Sequence, residues 1–248
     1  MRPPSIDLGS GRAPGVLRLP ELAAQASLKH GFSTLELGSM ARAVGAADSQ
    51  TPARWALARE LRLPLERVVT AGAVHGSRVE RVNEPVDVVP NTDGLVTDRP
   101  GLGLLVTAAD CYPVLVFDPL RRAVGLAHAG WRGTAAGIAA ELVGALTLHF
   151  GSRPADLMAG LGPGICGSCY QVSPEVAAHF EDCFLGPVAA PGRFRLDLRA
   201  ANRRQLEAVG VLPSRVHEHP ACTYESGFLA SHRRRADGSR CACLVALA

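Results

Sequence analysis

Between Gly103 and Gly130 the chain is almost wholly apolar: GLLVTAADC, then VLVFD, then AVGLAHAG, with breaks only at Tyr112-Pro113 and at Pro119–Arg122. Apolar, β-branched runs this short, bounded by Gly, Pro and Asp, predict strands buried on both faces of a central sheet. Related runs lie upstream in ERVVTAGAVHGSRVERV and at Leu95–Thr97, and CACLVALA closes the chain as a short final strand.

The period changes after His128. In TAAGIAAELVGALTL, Ile138, Leu142, Val143 and Leu146 recur at intervals of three and four, predicting an amphipathic helix over Thr134–Leu148. A second helix is expected over Thr51–Leu63, opened by Thr-Pro and ended by Pro64, and a further strand and helix in RFRLDLRAANRRQLEAVGV. Alternation of strands and helices without a long repeat or linker implies one α/β domain (α+β in its mixed sheets), with helices flanking the sheets. Its expected span is residues 16–248, behind a flexible Pro-, Gly- and Ser-rich segment at 1–15.

At 47% hydrophobic residues, 248 residues suffice for one large core. The net charge of +3 is scattered, Lys29 is the only lysine, and aromatic residues are few, so neither a basic stripe nor a stacking ladder points to nucleic acid. MRPPSIDLGSGRAPG carries no apolar run after its arginine and no stretch approaches a membrane span, so the expectation is a cytoplasmic protein with no membrane partner, a monomer in preference to an oligomer. Seven cysteines without an export signal read as reduced thiols.

Three strand ends carry side chains suited to metal binding or catalysis: His75 in AVHG, Cys111 in AADC, and His128 in AHAGWRG. Two imidazoles and a thiolate are a ligand set for catalytic zinc, which keeps its fourth position open. The same atoms suit a blue copper site, but that needs a weak axial ligand, and Met1, Met40 and Met158 lie in no such setting. A third reading makes Cys111 a nucleophile with His128 as its base. Spacings of 36 and 17 residues do not choose among these, nor against two core histidines and an inert thiol.

The segments VHG, TDGLVTD, TAADCYPVLVFDP, GLAHAGWRGTAAGI, GPGICGSCYQV, DLRAANRRQL and ACT...SHRR follow in the order seen in the YfiH/YlmD family, also called the polyphenol oxidase or laccase-domain family, which this chain resembles from about Gly72 to its end. That resemblance implies a YfiH-like fold, shared with deamidating toxins, and a Zn2+ site made by His75, Cys111 and His128. It implies purine nucleosides and phosphate as substrates: phosphorolysis of adenosine, inosine, guanosine and S-methyl-5'-thioadenosine, and deamination of adenosine. It also leaves room for a Cys/His amidohydrolase that edits a peptidoglycan precursor.

Arg132, beside the helix that follows His128, is the first phosphate candidate, and Arg233 and Arg234 match the family's paired arginines. Asp110 and Asp93 are each placed to orient a ligand histidine, Asp93 equally to bond its own turn. Cys166 and Cys169 form a CxxC, but a structural zinc would need a second such pair and the CxC of Cys241 and Cys243 matches poorly; the resemblance implies instead that GPG before Cys166 forms an active-site wall. HEH at His217–His219 imitates a multicopper motif, yet eight histidines with one such pair are too few for that enzyme class. One departure stands out. After HGFST the family continues with a Gly-Gly-Val-Ser loop, whereas this chain passes directly to TLELGS, with Glu36 at an asparagine position.

Overall fold

The computed structural model describes residues 13–41, 51–181, 184–188 and 191–248. The flexible segment expected over residues 1–15 lies almost wholly outside them. Two six-stranded mixed sheets stack face to face. The first runs, in spatial order, β1 (Val16–Leu17), β2 (Leu28–Ser33), β15 (Cys241–Leu247), β7 (Gly103–Ala108), β3 (Val68–Gly72) and β5 (Val88–Pro90). The second runs β14 (Val216–Glu218), β10 (Met158–Leu161), β8 (Tyr112–Asp118), β9 (Ala123–Ala129), β6 (Gly94–Thr97) and β4 (Val79–Arg81). A three-stranded sheet of β11 (Gln171–Val172), β13 (Phe194–Leu196) and β12 (Leu185–Pro187) stands apart.

The apolar runs therefore divide between two sheets instead of forming one central sheet. Side chains alternate across a strand, so each run feeds two cores at once. On β8, Leu115 and Phe117 join Leu104, Val106 and Val245 between the sheets, while Val114 and Val116 face the helices with Ala127 of β9. Beyond the first sheet, Leu105 and Leu244 pack with Leu57 and Leu61. The order of layers is helix, sheet, sheet, helices.

The helices, in chain order, are α1 (Pro20–Ala23), α2 (Pro52–Glu60), α3 (Trp131–Ala135), α4 (Ile138–Phe150), α5 (Pro174–Ala177) and α6 (Leu198–Ala208). Thr51 caps α2 by accepting the Arg54 N–H at 3.3 Å, as its Thr-Pro start suggests. The helix ends before the expected Leu63 because Arg62 turns left-handed (φ 52°) and the Leu63 N–H returns to the Ala58 carbonyl. The single helix expected over Thr134–Leu148 is broken into α3 and α4 by Gly137 at φ 85°, a conformation in which glycine carries no steric cost. Asp197 caps α6 by accepting the Ala200 N–H at 3.0 Å. Among the described residues no helix is long and apolar enough to cross a membrane.

Candidate functional site

His75 and Cys111 occupy equivalent places in the topology. His75 lies where the chain passes from β3 of the first sheet to β4 of the second, and Cys111 where it passes from β7 to β8. His128 is on β9, whose register against β8 pairs it with Pro113 and so brings Gly130 alongside Cys111. One ligand atom from each of His75, Cys111 and His128 lies within 4.8 Å of the other two. The imidazoles of His75 and His128 meet edge to face with centroids 4.9 Å apart.

Gly130 keeps the space between them open. A Cβ there would stand 2.9 Å from Cys111 Sγ, 3.0 Å from His75 Cδ2 and 3.8 Å from His128 Cε1. It would fill the cradle that the three donors enclose. Two thiolate-or-imidazole donors buried or half-buried and one exposed, with no fourth donor beside them among the described residues, is the pattern of a metal site left open to ligand. The residues present thus fit a zinc-sized ion.

Asp93 organises this cradle. Fully buried, its carboxylate accepts the backbone N–H groups of Val74 (3.1 Å), His75 (2.9 Å) and Gly76 (2.8 Å), and it meets His128 Nδ1 at 3.2 Å. The first three bonds hold His75 at φ 64°, a conformation costing about 1–3 kcal/mol for a side-chain-bearing residue. The fourth engages Nδ1 and leaves Nε2 of His128 for the cradle. Asp93 therefore meets a histidine of the cradle, and its backbone partners lie in the Val74–Gly76 turn instead of its own.

The charges follow from this packing. Burial works to raise the Asp93 carboxyl, but hydrogen bonds from His128, Gly76 and Val74 outweigh it and hold the group below the usual carboxylate range. Burial likewise opposes the Cys111 thiolate, yet His128 and His75 bring the thiol down to about 6. Against burial, Asp93 and Cys111 raise His128 to about 9. Without a metal, both shifts favour a thiolate at Cys111 beside an imidazolium at His128.

Asp110 does not touch a histidine of the cradle. Held at φ 85°, it accepts the Thr223 hydroxyl at 2.7 Å through Oδ1 and the Arg233 backbone N–H at 2.7 Å through Oδ2, which fixes the turn preceding Cys111. Arg233 donates to the Gln171 carbonyl at 2.8 Å and lies over the Tyr170 ring at 5.2 Å. Arg132 stacks on Trp131 at 4.5 Å and forms no ion pair among the described residues. Burial first, and then the charge of Cys111, push the Tyr170 hydroxyl up to about 12, and Arg233, Asp110 and Arg132 act on the same hydroxyl. Those groups share the neighbourhood of Tyr170 and Cys111, here termed the cleft. Arg234 is committed elsewhere, its guanidinium donating to the carbonyls of Thr223, Tyr224, Ser226 and Leu229.

Residues 25–248 match the family described as multi-copper polyphenol oxidoreductase laccase. The chain belongs to this family. It is 38% identical over 195 residues to the purine nucleoside phosphorylase YlmD of Geobacillus stearothermophilus, covering 72% of this chain and 71% of that protein. It is 37% identical over 212 residues to a purine nucleoside phosphorylase of Deinococcus radiodurans, with 80% and 81% covered. The crystal structure of the Geobacillus YlmD superposes with a TM-score of 0.84 at 33% identity, over 96% of this chain and 97% of that one. The crystal structure of the hypothetical protein YfiH of Bacillus licheniformis gives 0.84 at 32%, over 95% and 97%. The mixed α/β fold that the sequence motifs imply is that of these two structures.

Several residues of this family member's site were not singled out by sequence. Tyr170 lies within GPGICGSCYQV and Thr223 within ACT without a mark of its role, and Gly130, which by sequence only opens the way to the helix after His128, shows its closeness to Cys111 in the fold. HEH lies away from the cradle: His217 Nδ1 is 3.8 Å from Glu21, and His219, buried, accepts the Ala221 N–H at 3.2 Å. After HGFST, Thr34 caps a short 3-10 turn at Leu35–Leu37 by accepting the Glu36 N–H.

Proposed function

We propose that this chain is a zinc-dependent purine nucleoside phosphorylase that also deaminates adenosine. The reading is carried by the His75–Cys111–His128 cradle, kept open by Gly130, in a chain whose relatives bear the phosphorylase name. The nucleosides expected are adenosine, inosine, guanosine and S-methyl-5'-thioadenosine. Zinc bound by the three residues would supply Lewis acidity beside the cleft.

The chain's own residues supply position and charge. Arg132 and Arg233 are the groups we assign to phosphate, the first held flat against Trp131 and the second against Tyr170. In phosphorolysis a phosphate oxygen bonds to C1′ of the sugar as the C1′–N9 bond breaks. Its electron pair leaves with the purine, which takes up a proton as the free base. Guanidinium groups hold the attacking anion and offset its charge in the transition state. Asp93 is a positioning residue, since it acts through His75 and His128 and reaches the cleft through neither charge nor contact of its own.

Incubation with adenosine and inorganic phosphate should release adenine and ribose 1-phosphate, and incubation without phosphate should give inosine. Chelation should abolish both and zinc should restore them. Base release at full rate by the His75→Ala/Cys111→Ala variant would refute the reading.

One observation favours a second reading. Cys111, His128 and Asp93 stand in the order nucleophile, base and orienting carboxylate. A cysteine amidohydrolase acting on a peptidoglycan precursor would survive chelation and be abolished by thiol alkylation. A copper polyphenol oxidase, to which the family's description refers, would take up oxygen with phenols. Neither outcome is expected.

A further inference from the structure

The CxxC of Cys166 and Cys169 finds its partner in a segment that carries no CxxC. Cys241 and Cys243 lie on β15 and do not join it. Facing Cys166 and Cys169 instead are Cys222 and Glu225, and one ligand atom from each of the four lies within 4.8 Å of all the others. We propose that Cys166, Cys169, Cys222 and Glu225 form a second metal site, structural in character, that takes zinc.

The two halves, C-x2-C and C-x2-E, are built alike. In each, the carbonyl of the first ligand accepts the N–H four residues on: Tyr170 to Cys166 at 3.0 Å, and Ser226 to Cys222 at 2.9 Å. In each, the backbone N–H of the second ligand lies toward the sulfur of the first and favours its thiolate, Cys169 for Cys166 and Glu225 for Cys222. Two turns so matched bring four donors to one point. They are held side by side by a parallel bridge between Gly164 and Cys222 and by the Cys166 N–H on Cys222 Sγ at 3.3 Å.

Distances and burial agree with the ion. Tetrahedral zinc with Zn–S bonds of about 2.3 Å sets its donors about 3.8 Å apart. Cys169 Sγ and Glu225 Oε1 are already 3.5 Å apart. Cys166 and Cys222 are buried with Ile165 in a small apolar cluster of their own, and Glu225 closes the solvent side. A disulfide between any two of the thiols would leave the third thiol and a carboxylate facing it without a purpose. A four-donor zinc site uses all of them.

The site would brace the cleft wall. Thr223, next to Cys222, donates to Asp110, the residue before Cys111, and Arg234 ties down the carbonyls of Thr223, Tyr224 and Ser226 within the same turn. The ion would hold this turn, and through Asp110 the approach to Cys111, without touching substrate.

The test is zinc content by elemental analysis on protein purified under reductant without chelator, with zinc-edge X-ray absorption to read the ligands. The His75→Ala/Cys111→Ala variant should keep one zinc ion per chain in a shell of three sulfurs and one oxygen. The Cys166→Ser/Cys222→Ser variant should lose that ion, and if it does not fold the first variant still decides. A folded His75→Ala/Cys111→Ala protein without zinc would overturn the proposal, as would a disulfide among these thiols in the reduced wild type. A wild type with one ion in a sulfur-rich shell upholds this site and refutes the cradle. One ion with a single sulfur does the reverse.

Discussion

The two donor clusters of this protein differ in the way that open and closed metal sites differ. The cradle gathers three donors from far-separated strand ends, has an exposed histidine, and owes its room to a glycine. The thiol cluster gathers four donors from two short turns and buries two of its sulfurs. As metal sites, the first would leave a position for substrate and the second none. The comparison teaches that donor number and the backbone that carries the donors separate a working site from a fastening, even where both hold cysteine.

The largest expected effect breaks the cradle alone. Gly130→Ala should reduce nucleoside phosphorolysis to background and release the cradle's metal, because its Cβ would stand 2.9 Å from Cys111 Sγ, while the zinc of the thiol cluster stays. Assay and elemental analysis on one preparation check both, and retention of activity would show that nothing needs the space.

Next is Asp93→Asn, which keeps the volume but turns an amide N–H2 toward donors that need an acceptor. Metal affinity or kcat/KM should fall about 10- to 100-fold. The effect should reside in metal affinity and not in the KM for phosphate, because Asp93 reaches neither phosphate candidate.

A smaller effect concerns the arginines. Arg132→Ala and Arg233→Ala should each raise the KM for phosphate by roughly tenfold or more, in keeping with about 1.5–3 kcal/mol for a hydrogen bond to a charged group. Deamination, which uses no phosphate, should change little. Loss of both activities together would instead mean that these side chains hold the fold of the cleft.

The smallest effect touches neither cluster and serves as a control on the scaffold. His30, buried on β2, accepts the Leu19 N–H at 3.0 Å, and burial first and Arg18 second lower its pKa to about 4. Between pH 6.5 and 4 the unfolded chain binds a proton that native His30 refuses, so this group's contribution to stability is whole above 6.5 and falls as pH drops through that window, by at most ~3 kcal/mol. Denaturant unfolding of His30→Gln should show a shallower loss of stability between pH 7 and 5 than the wild type. An unchanged slope would place the acid sensitivity elsewhere.

Sequence made the cradle's members visible but not their meeting. His75, Cys111 and His128 each end or follow a strand run, yet 36 and 17 residues apart they could have pointed anywhere. Their convergence depends on two crossings between sheets, at β3 to β4 and β7 to β8, and apolar runs buried on both faces carry no mark of which sheet they enter. The helix break at Gly137 was hidden for a similar reason, since the apolar spacing continues across it. The thiol cluster was half legible: CxxC announces itself, but its counterpart ends in glutamate, so a search for a second cysteine pair led to Cys241 and Cys243 on β15. Asp93 stands out in the sequence as a carboxylate beside the motif cores; its four simultaneous bonds need the fold.

The most direct test of the cradle is a crystal of the wild-type protein, grown without chelator, measured on both sides of the zinc edge. An anomalous peak bonded to Cys111 Sγ and to one nitrogen each of His75 and His128, with a fourth position facing the cleft beside Tyr170, is the predicted result. Empty density among these three residues in protein that phosphorolyses adenosine at full rate would contradict it.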